Sequence, residues 1–199
     1  MSTTTEIRRT LTGTWELDPV HSSVGFEVPY LVGTFKGQFR EVEAQLVVDD
    51  SEATLEGGAK VDSVDVKDEN LAAHLQSPDF FDAERHPELR FTANDIDLDS
   101  EAVIARGELT IKGIRRPVEV TGTLTAPLVD AYGNERIGLE LSTTVDRHDF
   151  DVSWNVPLPT GQPAVGDEVK IVTELHHVAG RALPGGPRRR TEAAIVSWM

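Results

Sequence analysis

The 199-residue chain predicts an all-β fold of about eight antiparallel strands, with one short helical insertion around residues 68–82. Three observations predict it. Apolar residues alternate with polar ones at a period of two, which marks strands that bury one face. Turn chemistry built from Gly, Asp, Asn and Pro interrupts the alternation at short intervals. A single stretch breaks the period and adopts helical spacing instead.

Taken in order, the first run sets Val24, Phe26 and Val28 against Ser23, Gly25 and Glu27. Val42, Ala44, Leu46 and Val48 make the second, and Ala59 with Val61 the third. From Asp68 to Leu75 the pattern changes: Leu71 and Leu75 stand four apart beside Ala72 and Ala73, giving a short helix one apolar stripe. Strands resume with Leu89, Phe91 and Ala93, then Val103, Ala105, Leu109 and Ile111. Val118 and Val120 lead past Gly122 into Leu124, Ala126 and Leu128. The last two runs are Ile137 to Val145 and Val169 to Leu175. Turns at Asp18-Pro19, Gly57-Gly58, Lys112-Gly113 and Gly166-Asp167 punctuate them. Closing such a meander into a barrel removes its exposed edges. A sandwich has the same periodicity and stays open as the alternative.

The length suits one domain with a core of its own. Residues 1–12 are expected to be flexible, 13–179 to form the barrel domain, and 180–199, rich in Pro, Gly and Arg, to be a disordered tail. The absence of cysteine excludes disulfides, thiolate zinc and a cysteine nucleophile. Arg8-Arg9 is followed by polar residues rather than an apolar signal segment, and no run reaches membrane-helix length, so the expectation is a soluble, cytoplasmic protein. The net charge is −15, and the tail arginines 181 and 188–190 concentrate the negative charge in the body. Such a field repels phosphate backbones and anionic lipid heads, which disfavours nucleic acid and stable membrane insertion.

The six histidines form no metal motif: HExxH is missing, and His176-His177 on a strand point to opposite faces. Neither a metal nor another cofactor is expected. GxSxG is absent, so Asp18, His21 and Ser22 read as a turn anchor rather than a triad, and no catalytic residue is assigned. What remains is apolar inventory. Phe80-Phe81 stand in a polar, Pro-marked connection, where two rings are retained when they cover something apolar. They are expected to close one end of a barrel over a long apolar ligand.

Five spaced motifs carry a resemblance: GTWELDPVHSSVGFEV from Gly13, GTFKGQF from Gly33, HLQSPDFFDAERHPELRF from His74, GELTIKGIRRPV from Gly107 and DRHDFDVSWN from Asp146. Together they resemble the YceI-like family of lipocalin-like, polyisoprenoid-binding barrels, over roughly Gly13 to Val178. The resemblance implies an eight-stranded lipocalin-like barrel, an internal tunnel, a homodimer, and non-enzymatic binding, transport or sequestration of a polyisoprenoid or isoprenoid quinone. The implied lining is Phe26, Val28, Phe35, Phe39 and Phe91, with Leu109, Ile111 and Trp154. Leu71, Leu75, Phe80 and Phe81 cover it, Leu31 borders it, and Tyr30 and His74 contact the polar head group. Asp18, His21 and Arg147 are expected to form a structural polar cluster. The chain departs from the family at Tyr30, where a His is frequent, at Leu71-Ala72, where Arg-Asp is, and at Asp151, where a Gly is. Two other readings compete: an enzyme acting on such a lipid with His74 as general base, and a stress-related structural dimer whose barrel is filled by its own side chains.

Overall fold

The computed structural model describes residues 10–49, 51–98 and 100–180. The remainder of the expected flexible N-terminus and the tail from Arg181 onward lie outside the described residues. Within them are eleven strands: β1 (Gly13–Leu17), β2 (Ser23–Tyr30), β3 (Gly33–Phe39), β4 (Val42–Val48), β5 (Ala53–Lys60), β6 (Val64–Asp65), β7 (Glu88–Asp97), β8 (Ala102–Ile111), β9 (Ile114–Val129), β10 (Glu135–Asp146) and β11 (Glu168–Ala179). One helix, α1 (Glu69–Gln76), lies between β6 and β7. No helix among the described residues is long and apolar enough to cross a membrane.

Eight of the strands form a closed antiparallel ring, β1-β4-β5-β7-β8-β9-β10-β11. The ring shuts where β1 pairs with the end of β11, Trp15 opposite Ala179 and Leu17 opposite His177. That pairing settles barrel against sandwich. The earlier half of β11 takes a different neighbour: Lys170 to Glu174 pair with Glu27 to Ser23 of β2. β3 then pairs with β2, and β6 with β3. One strand therefore closes the wall at one end, and two occupy its place at the other. More strands around a perimeter make a wider barrel, so this end is broader.

The eight strands read from the alternation correspond to β2, β4, β5 and β7–β11. β1, β3 and β6 were not among them. β1 is short, β6 has two residues, and β3 places Gly37 at the centre of its inward face. The close approach explains that glycine: a Cβ there would stand 2.5 Å from the Phe26 ring. Three expectations need correction. Gly57-Gly58, expected as a turn, lies inside β5 and pairs with Ala44 and Glu43 of β4. Val61 opens a 3-10 turn instead of continuing β5. Ala126 and Leu128 are exposed because the β9–β10 register shifts between Arg136 and Gly138, which ends the inward face of β9 at Leu124. A second bulge, between Ala93 and Asp95, faces Gly107, whose missing Cβ lets the Thr92 carbonyl approach.

The helix starts as its sequence directs. The Asp68 side chain accepts a hydrogen bond from the Leu71 N–H at 2.9 Å, a standard N-cap. Leu75 is buried, and Leu71 packs partly buried beside it.

The narrow end is filled. Trp15, Leu46, Val48, Leu55, Leu139 and Leu175 meet in one cluster, and the Trp15 indole N–H donates to the Leu11 carbonyl at 2.7 Å. Leu11 itself is fully buried, although residues 1–12 were expected to be flexible. His177 enters this core with no exposure, and neither ring nitrogen has a hydrogen-bond partner among the described residues. Burial pushes its pKa down to about 4. At the rim, Arg136 donates to Asp18 at 2.7 Å and to Asp130 at 2.6 Å. Arg136 and then His21 hold the Asp18 pKa at about 2, and Arg136 and then the Asn134 N–H hold Asp130 well below the usual carboxylate range. Asp18 and His21 thus cluster with Arg136; Arg147, assigned to that group from the sequence, lies at the opposite end. Ser22 Oγ donates to the Asp18 carbonyl at 2.7 Å and lies 3.4 Å from that of His176, as a turn anchor does.

Candidate functional site: an apolar cavity in the wide end

The wide half of the barrel holds a cavity of about 340 Å³. Its walls follow from the alternation, since the inward positions of β2, β7, β8, β10 and β11 continue past the filled core toward the wide end. Leu55, Val120, Leu141 and Leu175 belong to both the core and the lining, so they form the floor. Above them, Ala44, Gly57 and Ala59 on β4 and β5 are too small to reach the centre. Space persists there because nothing projects into it.

Two aromatic groups shape the wall and mouth. Phe26 lies at its centre, with ring centroids 6.1 Å from Phe35, 5.9 Å from Phe39 and 6.2 Å from Phe81. Phe81 also meets Phe39 edge-on at 5.9 Å, which ties the connection after α1 to the β2–β3 pair. Phe80 lies tilted against Trp154 at 5.4 Å, and His74 packs edge-on against both at 5.0 and 4.9 Å. Phe80 and Phe81 therefore cover the cavity from their polar connection.

Thr143, Thr173 and Arg147 of the lining bond their polar atoms to the protein's own backbone. Thr143 Oγ1 donates to the Glu119 carbonyl at 2.8 Å. Arg147, 5% exposed, donates from Nε to Gly166 at 2.9 Å and from Nη1 to the carbonyls of Val152 and Trp154 at 2.8 and 2.9 Å. Its remaining nitrogen Nη2 stands 3.6 Å from Asp167. The guanidinium thus clamps the segment after β10 against the start of β11. Asn155 works alongside it, accepting from the N–H groups of Val156, Ala164 and Val165 and donating to the Val165 carbonyl.

A third brace comes from the β8–β9 turn. Lys112, with φ 52°, and Gly113, with φ 74°, form a two-residue hairpin loop in the left-handed region. Lys112 Nζ reaches the Pro78 carbonyl at 2.9 Å and the Asp151 carbonyl at 2.8 Å. One ammonium thereby joins the Phe80-Phe81 connection to the turn bearing Phe150. Asp151 adopts φ 56°, a conformation Asp tolerates better than most residues.

Most of the sequence-assigned residues fall on this cavity. Phe26, Val28, Tyr30, Phe35 and Phe39 line it from β2 and β3; Phe91, Leu109 and Ile111 from β7 and β8; Leu71, Leu75, Phe80, Phe81 and Trp154 from the cover. Leu31 and His74 do not. Leu31 is 56% exposed on the hairpin tip. His74 turns Nε2 to Asp79 at 3.1 Å, outside the lining, with Phe80 and Trp154 between it and the interior. Lining residues absent from the sequence assignment include Val145, Phe150, Val152, Val165 and Ile171. Val145 and Ile171 were legible as inward strand positions; Phe150, Val152 and Val165 sit in irregular backbone, where no period marks a face. Among the described residues, no three His, Asp or Glu side chains gather closely enough to hold a metal ion.

Comparison with known proteins agrees with this architecture. A UPF0312 protein of Staphylococcus epidermidis is 31% identical over 165 residues, covering 79% of this chain and 92% of its own. The Campylobacter jejuni YCEI protein superposes with TM-score 0.65 at 25% identity, over 83% of this chain and 97% of its own. Burkholderia cenocepacia BcnA gives TM-score 0.68 at 22% identity, over 80% and 98%. A polyisoprenoid binding domain from Saccharophagus degradans gives TM-score 0.65 at 14% identity, over 83% and 98%, a likeness of fold alone. The profile of the YceI-like domain matches residues 15–177, from the Trp15 plug to the buried His177, and the chain belongs to the YceI-like domain family.

Proposed function

We propose that the protein binds one apolar lipid chain in the wide half of its barrel, as a carrier or sequestering protein and without chemistry on the ligand. The observation that carries this reading is the cavity of about 340 Å³, lined mainly by apolar side chains, with Thr143, Thr173 and Arg147 bonded to the protein's own backbone. Such a site gains affinity from hydrocarbon burial. At about 0.8 kcal/mol per methylene, one five-carbon isoprene unit contributes about 4 kcal/mol before ordering costs. A polyisoprenoid or isoprenoid quinone suits this chemistry, and the S. degradans neighbour, named for polyisoprenoid binding, lends support.

The enzyme reading loses its main candidate, because His74 faces Asp79 outside the cavity. A barrel filled by its own side chains describes the narrow half only. The test is native mass spectrometry of protein from its own host, followed by lipid extraction. A co-purifying prenyl lipid that is absent from Phe26→Asp is the expected result. Full lipid retention by Phe26→Asp would show that the lining is misassigned, and recovery of no lipid from the parent would count against the carrier reading.

A further inference from the structure

The hairpin joining β2 to β3 has a two-residue tip, Leu31-Val32, closed by the Tyr30–Gly33 pair. Water-exposed tips of this length favour Asn-Gly, Asp-Gly or Gly-X, because the backbone must adopt positive φ. Here Leu31 takes φ 51°, a bulky residue in a conformation such residues avoid, and it is 56% exposed. Val32 beside it is completely exposed. Leu31 on a disfavoured backbone, beside a fully exposed Val32, buries little apolar area within the fold, and an outlier of this kind points to a use outside it.

The surroundings show what that use is. The Leu31 N–H donates to the Ala164 carbonyl at 3.0 Å, and the Ala164 N–H to the Val156 carbonyl at 3.0 Å. Val156, 47% exposed, therefore extends the apolar tip. Tyr30, 45% exposed, bridges to Val165, and both residues also line the cavity. The exposed apolar surface is thus continuous with the cavity mouth. We propose that Tyr30, Leu31, Val32 and Val156 form a lip that docks on the surface of a zwitterionic lipid bilayer, so that an apolar chain passes between membrane and cavity without crossing water.

This inference rests on the lipid-binding reading and adds where the exchange takes place. A second copy of the chain is a poorer occupant: a stable interface buries about 800 Å² per partner, more than four side chains, three of them partly covered, supply. A shallow bilayer contact needs only a few apolar side chains. The net charge of −15 favours zwitterionic over anionic head groups.

Two measurements separate the lip from the cavity. The first is equilibrium binding of a fluorescent farnesyl probe delivered from detergent. The second combines flotation with phosphatidylcholine vesicles and the rate of probe transfer from them. The variant Leu31→Asn/Val32→Asp suits the turn, since Asn tolerates positive φ. It is expected to bind the detergent-delivered probe as the parent does, to lose flotation, and to transfer the probe from vesicles at least tenfold more slowly. Tyr132→Asp, at an 89% exposed position in the β9–β10 turn, serves as a control and is expected to match the parent. Replacing phosphatidylcholine with phosphatidylglycerol is expected to weaken flotation of the parent. Parental flotation and transfer by the double variant would overturn the proposal. So would light scattering that shows the lip substitutions dissociating a dimer while transfer is unchanged. Failure of the parent to bind detergent-delivered probe would count against the cavity, whereas the lip would still be read by flotation.

Discussion

The two halves of this barrel use the same alternation to opposite ends. In the narrow half, Leu46, Leu139 and Trp15 meet across the axis and leave no room. In the wide half, Phe26, Ile111 and Ile171 point inward from continuations of the same wall, yet they surround an open volume. Two things differ. β2 and β3 replace β1 in the wall, and Ala44, Gly57 and Ala59 stand where long side chains would have closed the gap. An inward apolar face therefore says only that a position avoids water. Whether it packs or lines depends on perimeter and on the size of what lies opposite.

The largest expected effect tests this contrast directly. Leu139→Ala, at a 2% exposed position in the narrow half, should lower unfolding free energy by about 4 kcal/mol, because a dense core cannot refill the space. Ile171→Ala on the cavity wall should cost only about 2 kcal/mol, since space already exists beside it and mainly the transfer term of three carbons is lost. Urea denaturation of both variants measures this. Equal losses would break the distinction between the halves.

His177 gives the narrow half a pH signature. Its folded pKa of about 4 lies below the ordinary value of 6.5, so the unfolded chain binds a proton first as pH falls. This contribution is complete above about pH 6.5 and is lost progressively down to about pH 4, amounting to about 3 kcal/mol. Denaturant midpoints recorded across that interval should decline in the parent and stay flatter in His177→Leu. Asp18, held at about 2, loses its contribution only in a lower window, as pH falls below about 4.

Lys112→Asn keeps a residue that accepts positive φ and removes both bonds across the mouth. A loss of about 2 kcal/mol is expected. Hydrogen exchange should accelerate at residues 77–82 while the narrow half keeps its protection. The smallest stability effect belongs to Ala44→Leu, which puts hydrocarbon into existing space. Stability should change by less than about 1 kcal/mol, whereas affinity for an apolar chain should fall at least tenfold, a loss of about 1.4 kcal/mol. If binding survives that substitution, the wide half is not the binding chamber.

Much of this was legible beforehand where a signal is local. The runs at Ile137–Val145 and Val169–Leu175 showed their inward faces plainly, and Asp68 with Leu71 and Leu75 placed the helix correctly. Phe80 and Phe81, two rings in a polar connection, do line the cavity. Tyr30 reached the mouth as expected, but His74 did not, because the short turn after α1 brings Asp79 within hydrogen-bonding distance and Phe80 across its inner side. The exchange of Arg147 for Arg136 beside Asp18 has a similar origin. Arg136 lies at the start of β10 and Arg147 just past its end, and sequence alone cannot tell which end faces Asp18.

By itself, the sequence determined which side of most long strands avoids water, where the helix begins and that Lys112-Gly113 makes a tight turn. These depend on the pleat, on capping and on φ, all decided within a few residues. Only the tertiary structure decided that the wall closes through β1 and β11, that β2 and β3 widen one end, and that an open volume survives there. Closure joins the two ends of the described chain, and a cavity exists when side chains from distant strands fail to meet. Neither is a property of any one segment.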